Sequence, residues 1–463
     1  MRKLFGLLLV GLMALSVVAS GCISGGTSSS SQSGTVVASG GISGGTSSSS
    51  QSGTAPSTYA PSKINILYTY TGAFNDPAKG KAAAQAQLQQ GAWVIYQVAG
   101  GTGLGVFEAV SDYLKANNKK MGPPFAIGVD SAQDWIKPGV IIASMMKRVD
   151  VGVYNAVKQA EENKFVGGVV ELGLKEGGVK LSTIADVKAM FDSLPADVKQ
   201  KKLKELGFQN EQQLLEYLNK TRQQVPSWIW QAVDQLQKDI LDGKIVVPKA
   251  TQKSQIEELR KATSWQQMEN LGIEWAKSAP APQTYFNKTL NERQNTKKIA
   301  IVYDIGGRGD LSFNDMAYMG AERAAKDFNL KLIQVQSNSE NDYLPNLRTL
   351  AKSGQYDIII AVGFMMTKAV KTVAKEFPKQ RFVIIDGFDP EMPHNVQMVL
   401  FKENEGSALA GALAALIALN DHKDTIGIVL GMEIPVLYKF EGGYRFGAYW
   451  ALDYYKKRVE GKK

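Results

Sequence analysis

Three apolar stretches of this 463-residue chain run directly into a carboxylate: Val129-Asp130, Tyr303-Asp304 and Ile385-Asp386. An ionised carboxylate accepts two or more hydrogen bonds, and bonds to charged groups contribute about 1.5–3 kcal/mol each. One such Asp ordinarily caps a helix. Three of them on a shared cleft would be acceptors for the hydroxyls and N–H groups of a polar ligand. Phe313 and Asn314, in Asp310-Leu-Ser-Phe-Asn, add a ring and an amide. Gly101, within a glycine-rich run at 100–105, offers close backbone approach, and Lys147, in Ser144-Met-Met-Lys, adds a cation. This is equipment for binding. No base–nucleophile pair stands beside the aspartates, His394 and His422 lie outside any metal-ligand spacing, and Cys22 is the only thiol. Neither a metal nor a cofactor is expected. The glycine run departs from the full G-x-G-x-x-G spacing and by itself is a weak dinucleotide signal.

Ligands of open parallel sheets sit outside the C-terminal strand ends, so the aspartates need parallel strands behind them. The pattern supplies them. Apolar strands are expected at 299–303, 332–336, 357–362, 382–386, 397–401 and 425–430, separated by helices at 313–328, 343–353, 367–377, 406–419 and 440–457. Ser312 stands where an N-cap would for the first of these helices. Near-continuous apolar strands alternating with helices mean an α/β fold with sheets covered on both faces. The earlier block repeats the pattern, with strands at 63–70, 93–98, 125–129, 167–174 and 179–181 and helices at 79–90, 105–117 and 140–159. Residues 186–278 read as helical and charged, anchored by Trp228 and Trp230, and 279–297 as a polar surface crossing. The last helix has no strand after it, and the strand at 63–70 has no helix before it. These two loose ends complete one helix–strand step.

The N-terminus gives an address. Arg2 and Lys3 precede an apolar run at 4–18 and then Ala19-Ser-Gly-Cys22. The run falls short of the ~20 residues of a membrane span and fits a secretory leader. Residues 23–62 are mainly Gly, Ser and Thr, with a 19-residue tandem repeat (17–35 and 36–54) in which Gly41 replaces Cys22. Such a stretch reads as a flexible tether reaching about 35 Å. Net charge is +9, but basic and acidic residues are interspersed, without the basic–aromatic blocks of a nucleic-acid site. Asn219-Lys-Thr and Asn287-Lys-Thr match the glycan-acceptor pattern, and Arg308-Gly-Asp310 spells an adhesion tripeptide too short to carry a conclusion.

Two motif sets add a resemblance. The strand into Asp304 and the loop Gly306-Gly-Arg-Gly-Asp310-Leu-Ser-Phe313-Asn314 resemble the opening of the basic-membrane-protein family of solute-binding lipoproteins, the purine nucleoside receptors of ABC importers. Tyr96-Gln-Val-Ala-Gly-Gly101-Thr-Gly-Leu-Gly105, Ala126-Ile-Gly-Val-Asp130-Ser and Ser144-Met-Met-Lys147-Arg-Val-Asp resemble motifs that come later in that family. Residues 297–463 thus look like the first half of the family fold. Residues 63–290 look like the second half with a helical extension. The resemblance implies a type I periplasmic-binding-protein fold: two Rossmann-like lobes with parallel sheets joined by a hinge, here circularly permuted. It also implies that Cys22 sits in a lipobox closing a leader at 1–22, followed by the tether at 23–62, and is lipidated at the extracytoplasmic face of the cell membrane. In such receptors the base lies between aromatic rings. By motif, Phe313 is one ring and Asn314 its neighbour. Asp304 and Asp386 face the base, Asp130 and Lys147 the ribose, and Gly101 approaches through its backbone. Tyr96, Phe107 and Trp135 are all open as the second ring.

The implied function is capture of a nucleoside or similar small polar solute and delivery to an ABC permease, with no catalytic step and no nucleic-acid partner. A sensor ectodomain on the same fold is an alternative, as is a secreted nucleoside-acting enzyme. Turnover of a bound nucleoside would single out the last.

Overall fold

The computed structural model describes residues 61–292 and 296–461; the leader, Cys22 and nearly all of the tether lie outside the described residues. The chain opens with β1 (Asn65–Tyr70), α1 (Pro77–Gln89), β2 (Val94–Val98), α2 (Leu104–Ala116), β3 (Phe125–Asp130), β4 (Ile141–Lys147), α3 (Val149–Glu161), β5 (Val166–Leu172) and β6 (Val179–Leu181). Six helices follow: α4 (Ile184–Asp192), α5 (Ala196–Leu206), α6 (Glu211–Arg222), α7 (Ser227–Leu241), α8 (Lys253–Lys261) and α9 (Trp265–Ser278). Then come β7 (Thr284–Phe286), α10 (Lys288–Asn291), β8 (Lys298–Tyr303), α11 (Phe313–Asp327), β9 (Lys331–Gln336), α12 (Tyr343–Ser353) and β10 (Ile358–Val362). The chain closes with α13 (Thr367–Glu376), β11 (Arg381–Ile385), β12 (Val396–Phe401), α14 (Glu403–Asn420), β13 (Thr425–Leu430) and α15 (Pro435–Val459).

Two sheets result, in the orders β1-β13-β2-β3-β4-β6 and β7-β5-β12-β11-β10-β8-β9. Every pairing is parallel except those of the edge strands β6 and β7. Both sheets mix the two blocks of the chain. β13 lies between β1 and β2, pairing Asn65 with Thr425 through Tyr70 with Leu430, and β12 pairs with β5 from Gln397 beside Gly168. β1 therefore lies beside β13, and β8 beside β10.

One element departs from the sequence reading. Residues 141–147, expected as the start of a helix, form β4, and the helix begins only at Val149. All seven residues of β4 are buried, so the run carries no polar face to distinguish strand from helix. The consequence is functional: Lys147 ends a buried strand instead of lying on a solvated helix. Residues 279–292 are mostly exposed, as expected, but contribute the edge strand β7 and the short helix α10.

α14 is the core of the first layer, buried from Gly406 through Leu419. It packs along α15 closely enough that a Cβ on Gly411 would lie 2.0 Å from the Tyr444 carbonyl oxygen, and one on Gly447 1.9 Å from that of Ala408. Glycine is required at both positions for the helices to touch. α7, α8 and α9 pack on the outside of this pair. Trp228 meets the ring of Tyr455 at 6.3 Å, Trp230 lies under Arg222, and the Arg260 guanidinium holds Glu441 by two bonds of 2.9 and 2.8 Å. The end of α15 returns to the start of the described fold: the Lys456 ammonium donates to the Ser62 carbonyl at 3.2 Å.

Candidate functional site

The loops leaving the C-terminal ends of both sheets face one cavity of about 290 Å³. Asp130, Lys147 and Gly101 reach it from the first sheet, and Asp304, Phe313, Asn314 and Asp386 from the second. The structure thus brings together all seven residues named from sequence, although they span positions 101 to 386.

Each is held by local chemistry. Asp130 and Asp386 follow their strands in the left-handed region, with φ of 63° and 64°, a conformation that Asp tolerates better than most residues and that turns the chain sharply at the cavity. Asp304 accepts from the Asn314 amide at 3.1 Å and from the Gly306 N–H at 2.9 Å. Burial raises its affinity for a proton, opposed by these bonds. Asp130 is pushed up to about 6 by burial, against the pull of Lys147 and of the Ser312 hydroxyl that donates to it at 2.6 Å. Asp386 is ion-paired with Lys147, yet burial still raises its pKa. Lys147 also contacts Glu403 at 2.9 Å and lies 5.2, 5.1 and 5.7 Å from the ring centres of Phe313, Phe401 and Phe440. Burial opposes its charge, but Asp386, Glu403 and Asp130 prevail and raise its pKa.

Two acceptors are left over. Asp386 Oδ1 and Asn314 Oδ1 are buried and receive no hydrogen bond from the protein. Buried polar atoms are almost always partnered, so an open pair beside a cavity marks the place of an incoming donor.

Ser312 is not the cap it resembles, because its hydroxyl is given to Asp130 and it makes no side-chain cap bond. Asp310 caps α11 instead, accepting from the N–H groups of Ser312 at 3.0 Å, Asn314 at 2.9 Å and Asp315 at 3.2 Å. That role turns the third residue of the adhesion tripeptide inward.

The second-ring candidates Tyr96, Phe107 and Trp135 are core residues, 0, 0 and 2 % exposed, and none lines the cavity. Phe74, Phe364 and Phe440 line it. Phe74 is fixed by the Thr102 N–H donating to its carbonyl at 3.0 Å and by Gly431, where a Cβ would come within 2.3 Å of the ring. A sequence signal for it exists: Phe74-Asn-Asp follows β1 as Phe313-Asn-Asp follows β8. Glu403 and Lys439, joined at 2.5 Å behind Lys147, were also not anticipated, since each is one charge in an ordinary helix.

An uncharacterized lipoprotein of Pyrococcus horikoshii is 46% identical over 162 residues, 35% of this chain and 39% of that protein. The ABC transporter nucleoside-binding protein BmpA of Lactococcus lactis is 38% identical over 155 residues, 33% of this chain and 43% of that protein. A crystal structure of an ABC transporter solute-binding protein from Aeropyrum pernix shares 35% identity over 36% of this chain and 45% of that one, at a TM-score of 0.33. The chain spans about two fifths of the length of the curated relatives it matches. Residues 20–220 and 297–451 match the Bmp family, ABC transporter substrate-binding protein PnrA-like, and the chain belongs to that family.

Proposed function

We propose that this protein is an extracytoplasmic receptor that captures a nucleoside, most favourably a purine, in the cleft between its two lobes and hands it to an ABC permease. The observation that carries the reading is the pair of donor-less buried acceptors, Asp386 Oδ1 and Asn314 Oδ1, in a cavity walled by Phe74 and Phe313 from opposite lobes. Rings on two sides suit a flat heterocycle, and the two open acceptors suit its N–H edge. Asp130 and Lys147 supply an acceptor and a donor for the hydroxyls of an attached sugar. A cavity of about 290 Å³ fits a ligand of this size. Similarity to the nucleoside-binding protein of Lactococcus lactis points the same way. The family consists of substrate-binding proteins, which favours capture without turnover over a nucleoside-acting enzyme.

The same reading takes Cys22 as the lipidated N-terminus, residues 23–62 as a tether, and the blocks 63–290 and 297–463 as the second and first halves of a permuted family fold. Interleaved strands and the contact between Lys456 and Ser62 support the permuted order. Isothermal titration against purine and pyrimidine nucleosides tests the ligand assignment. Stoichiometric binding of inosine or guanosine at micromolar or lower Kd, with no free base released on incubation, is expected. Failure of every nucleoside to bind below ~100 μM overturns it.

A further inference from the structure

We propose that Glu403 and Lys439, neither of which lines the cavity, are positioning residues for Lys147, forming with Asp386 a buried chain of alternating charge laid across the crossovers between the two lobes. The proposal rests on the binding reading above and adds what sets the state of its cation.

The chain runs from Asp386 to Lys147, from Lys147 to Glu403 at 2.9 Å, and from Glu403 to Lys439 at 2.5 Å; Lys439 also donates to the Phe401 carbonyl at 2.9 Å. Glu403 is wholly buried, and a carboxylate there is tolerated only because cations flank it on both sides. They hold its pKa below the usual carboxylate value even though burial alone would raise it. The charged groups acting on Lys147 are Asp386 at the end of β11, Glu403 on α14 and Asp130 at the end of β3, with Lys439 of α15 beyond Glu403. Three rings surround the same ammonium. With Glu403 present the ammonium is shared between two carboxylates, and Asp386 keeps Oδ1 open toward the cavity. Without it the cation would fall wholly to Asp386 or lose its proton.

Position in the fold gives this sharing a second consequence. Lys147 ends β4 where the chain leaves the first sheet for α3, and Glu403 opens α14 where the chain leaves β12 of the second sheet. The crossovers are tied together by Lys402 N–H to the Leu172 carbonyl (3.0 Å), Arg148 N–H to the Gly178 carbonyl (2.8 Å) and Leu174 N–H to the Glu405 carboxylate (2.8 Å). These are the segments about which two lobes turn. A ligand that draws on Asp386 or Lys147 therefore pulls on the hinge through Glu403.

Three variants of the full chain test this: E403Q, E403D, and E403Q/K439M, which removes one charge of each sign. The titration of Lys147 is followed without ligand by ¹³C NMR of the lysine ε-carbons, with K147R identifying the signal. Affinity for inosine is measured from pH 6 to 9. In the parent the Lys147 signal stays that of an ammonium to pH 11. In E403Q its midpoint falls to within that range, and binding weakens about tenfold or more. E403Q/K439M shows the same falls on a restored fold, and E403D recovers part of both. An unchanged Lys147 midpoint and unchanged affinity in E403Q, or in the double variant if E403Q does not fold, overturn the proposal. Loss of fold in all three variants also overturns it, by assigning Glu403 to stability alone. A parent that binds no nucleoside defeats the binding reading only, and the NMR titration then decides.

Discussion

The Ser312 hydroxyl donates to the Asp130 carboxylate at 2.6 Å across 182 positions of sequence, joining the start of α11 beside the second sheet to the end of β3 in the first. It is one of three such bonds. The Ser131 hydroxyl at 2.6 Å and the Gln133 amide at 3.0 Å both donate to the carbonyl of Leu311, itself held at a left-handed φ of 52°. The loop that carries Phe313 and Asn314 is thus latched to the loop that follows β3 of the first sheet.

Asp130 carries a stability penalty that its proposed ligand role explains. Burial lifts its pKa from 3.8 to about 6, so its contribution to stability is full below the ordinary value and is lost as pH rises through about 6. A displacement of this size corresponds to about 3 kcal/mol. Asp130→Asn should therefore gain stability relative to the parent between pH 4 and pH 7.5, by up to that amount, while weakening nucleoside binding. Urea denaturation at the two pH values reads it. A difference between variant and parent that does not change with pH would contradict the assignment.

The latch predicts a smaller effect. Ser131 does not line the cavity, and Ser131→Ala removes one hydrogen bond to Leu311 while the Gln133 bond remains. A loss of about 1 kcal/mol, or roughly fivefold in affinity, is expected. It should fall equally on every nucleoside that binds, because the hold on the 310–314 loop and not base recognition is altered. A change confined to one base in a titration panel would place Ser131 in recognition instead.

Ring substitutions separate the aromatic residues at the cavity from those in the core. Phe74→Ala and Phe313→Ala should each weaken binding by about 1–3 kcal/mol, by analogy with bases stacked on protein aromatics. Tyr96→Phe should leave affinity within about twofold, since Tyr96 is fully buried away from the cavity and its hydroxyl finds no hydrogen-bond partner. Equal losses at Phe74 and Tyr96 would refute the stacking assignment.

The pattern of success and failure in the sequence reading has a physical cause. β8, β10 and β13 were legible because continuous Ile and Val runs flanked by amphipathic helices leave little choice but a covered parallel strand. β4 was not, since a run buried on every side has no periodicity to read. Asp130, Asp304 and Asp386 were found as carboxylates that end strands. Phe74 is not among the ring candidates of the sequence because it stands on the loop after β1, outside any regular element whose pattern would mark it. Glu403 and Lys439 carry no local mark. Only the crossing of α14 and α15 behind Lys147 makes them a pair.

The helices α7, α8 and α9 lie between the two spans matched by the family, and α8 braces the wall of the cavity from outside. Arg260 of α8 holds Glu441, one residue after the cavity-lining Phe440; Glu441 is also bonded by Tyr70 and Arg445 and is wholly buried. Arg260→Met should destabilise the fold by about 2 kcal/mol, because a buried carboxylate loses one of two guanidinium partners. Urea denaturation should show a lowered midpoint with an unchanged slope. A loss under about 0.5 kcal/mol would mean that Arg445 and Tyr70 together satisfy Glu441.

The proposed permuted order of the two blocks can be tested by undoing it. The Lys456 ammonium already touches the Ser62 carbonyl, so joining the end of α15 to Lys63 needs only a linker of a few residues at about 3.3–3.6 Å each. New termini can open between Asn291 and Thr296, beyond the end of α10. Such a chain, running from 296 through 459 and then from 63 to 291, keeps every strand neighbour in both sheets, from Asn65 beside Thr425 to Gly168 beside Gln397. It should therefore fold and bind the same nucleosides with Kd within about threefold of the parent. Thermal unfolding and titration check this directly. A relinked chain that is insoluble or unfolded, although its strand pairings are all available, would mean that the halves are not interchangeable in order and that the present order is required by the fold.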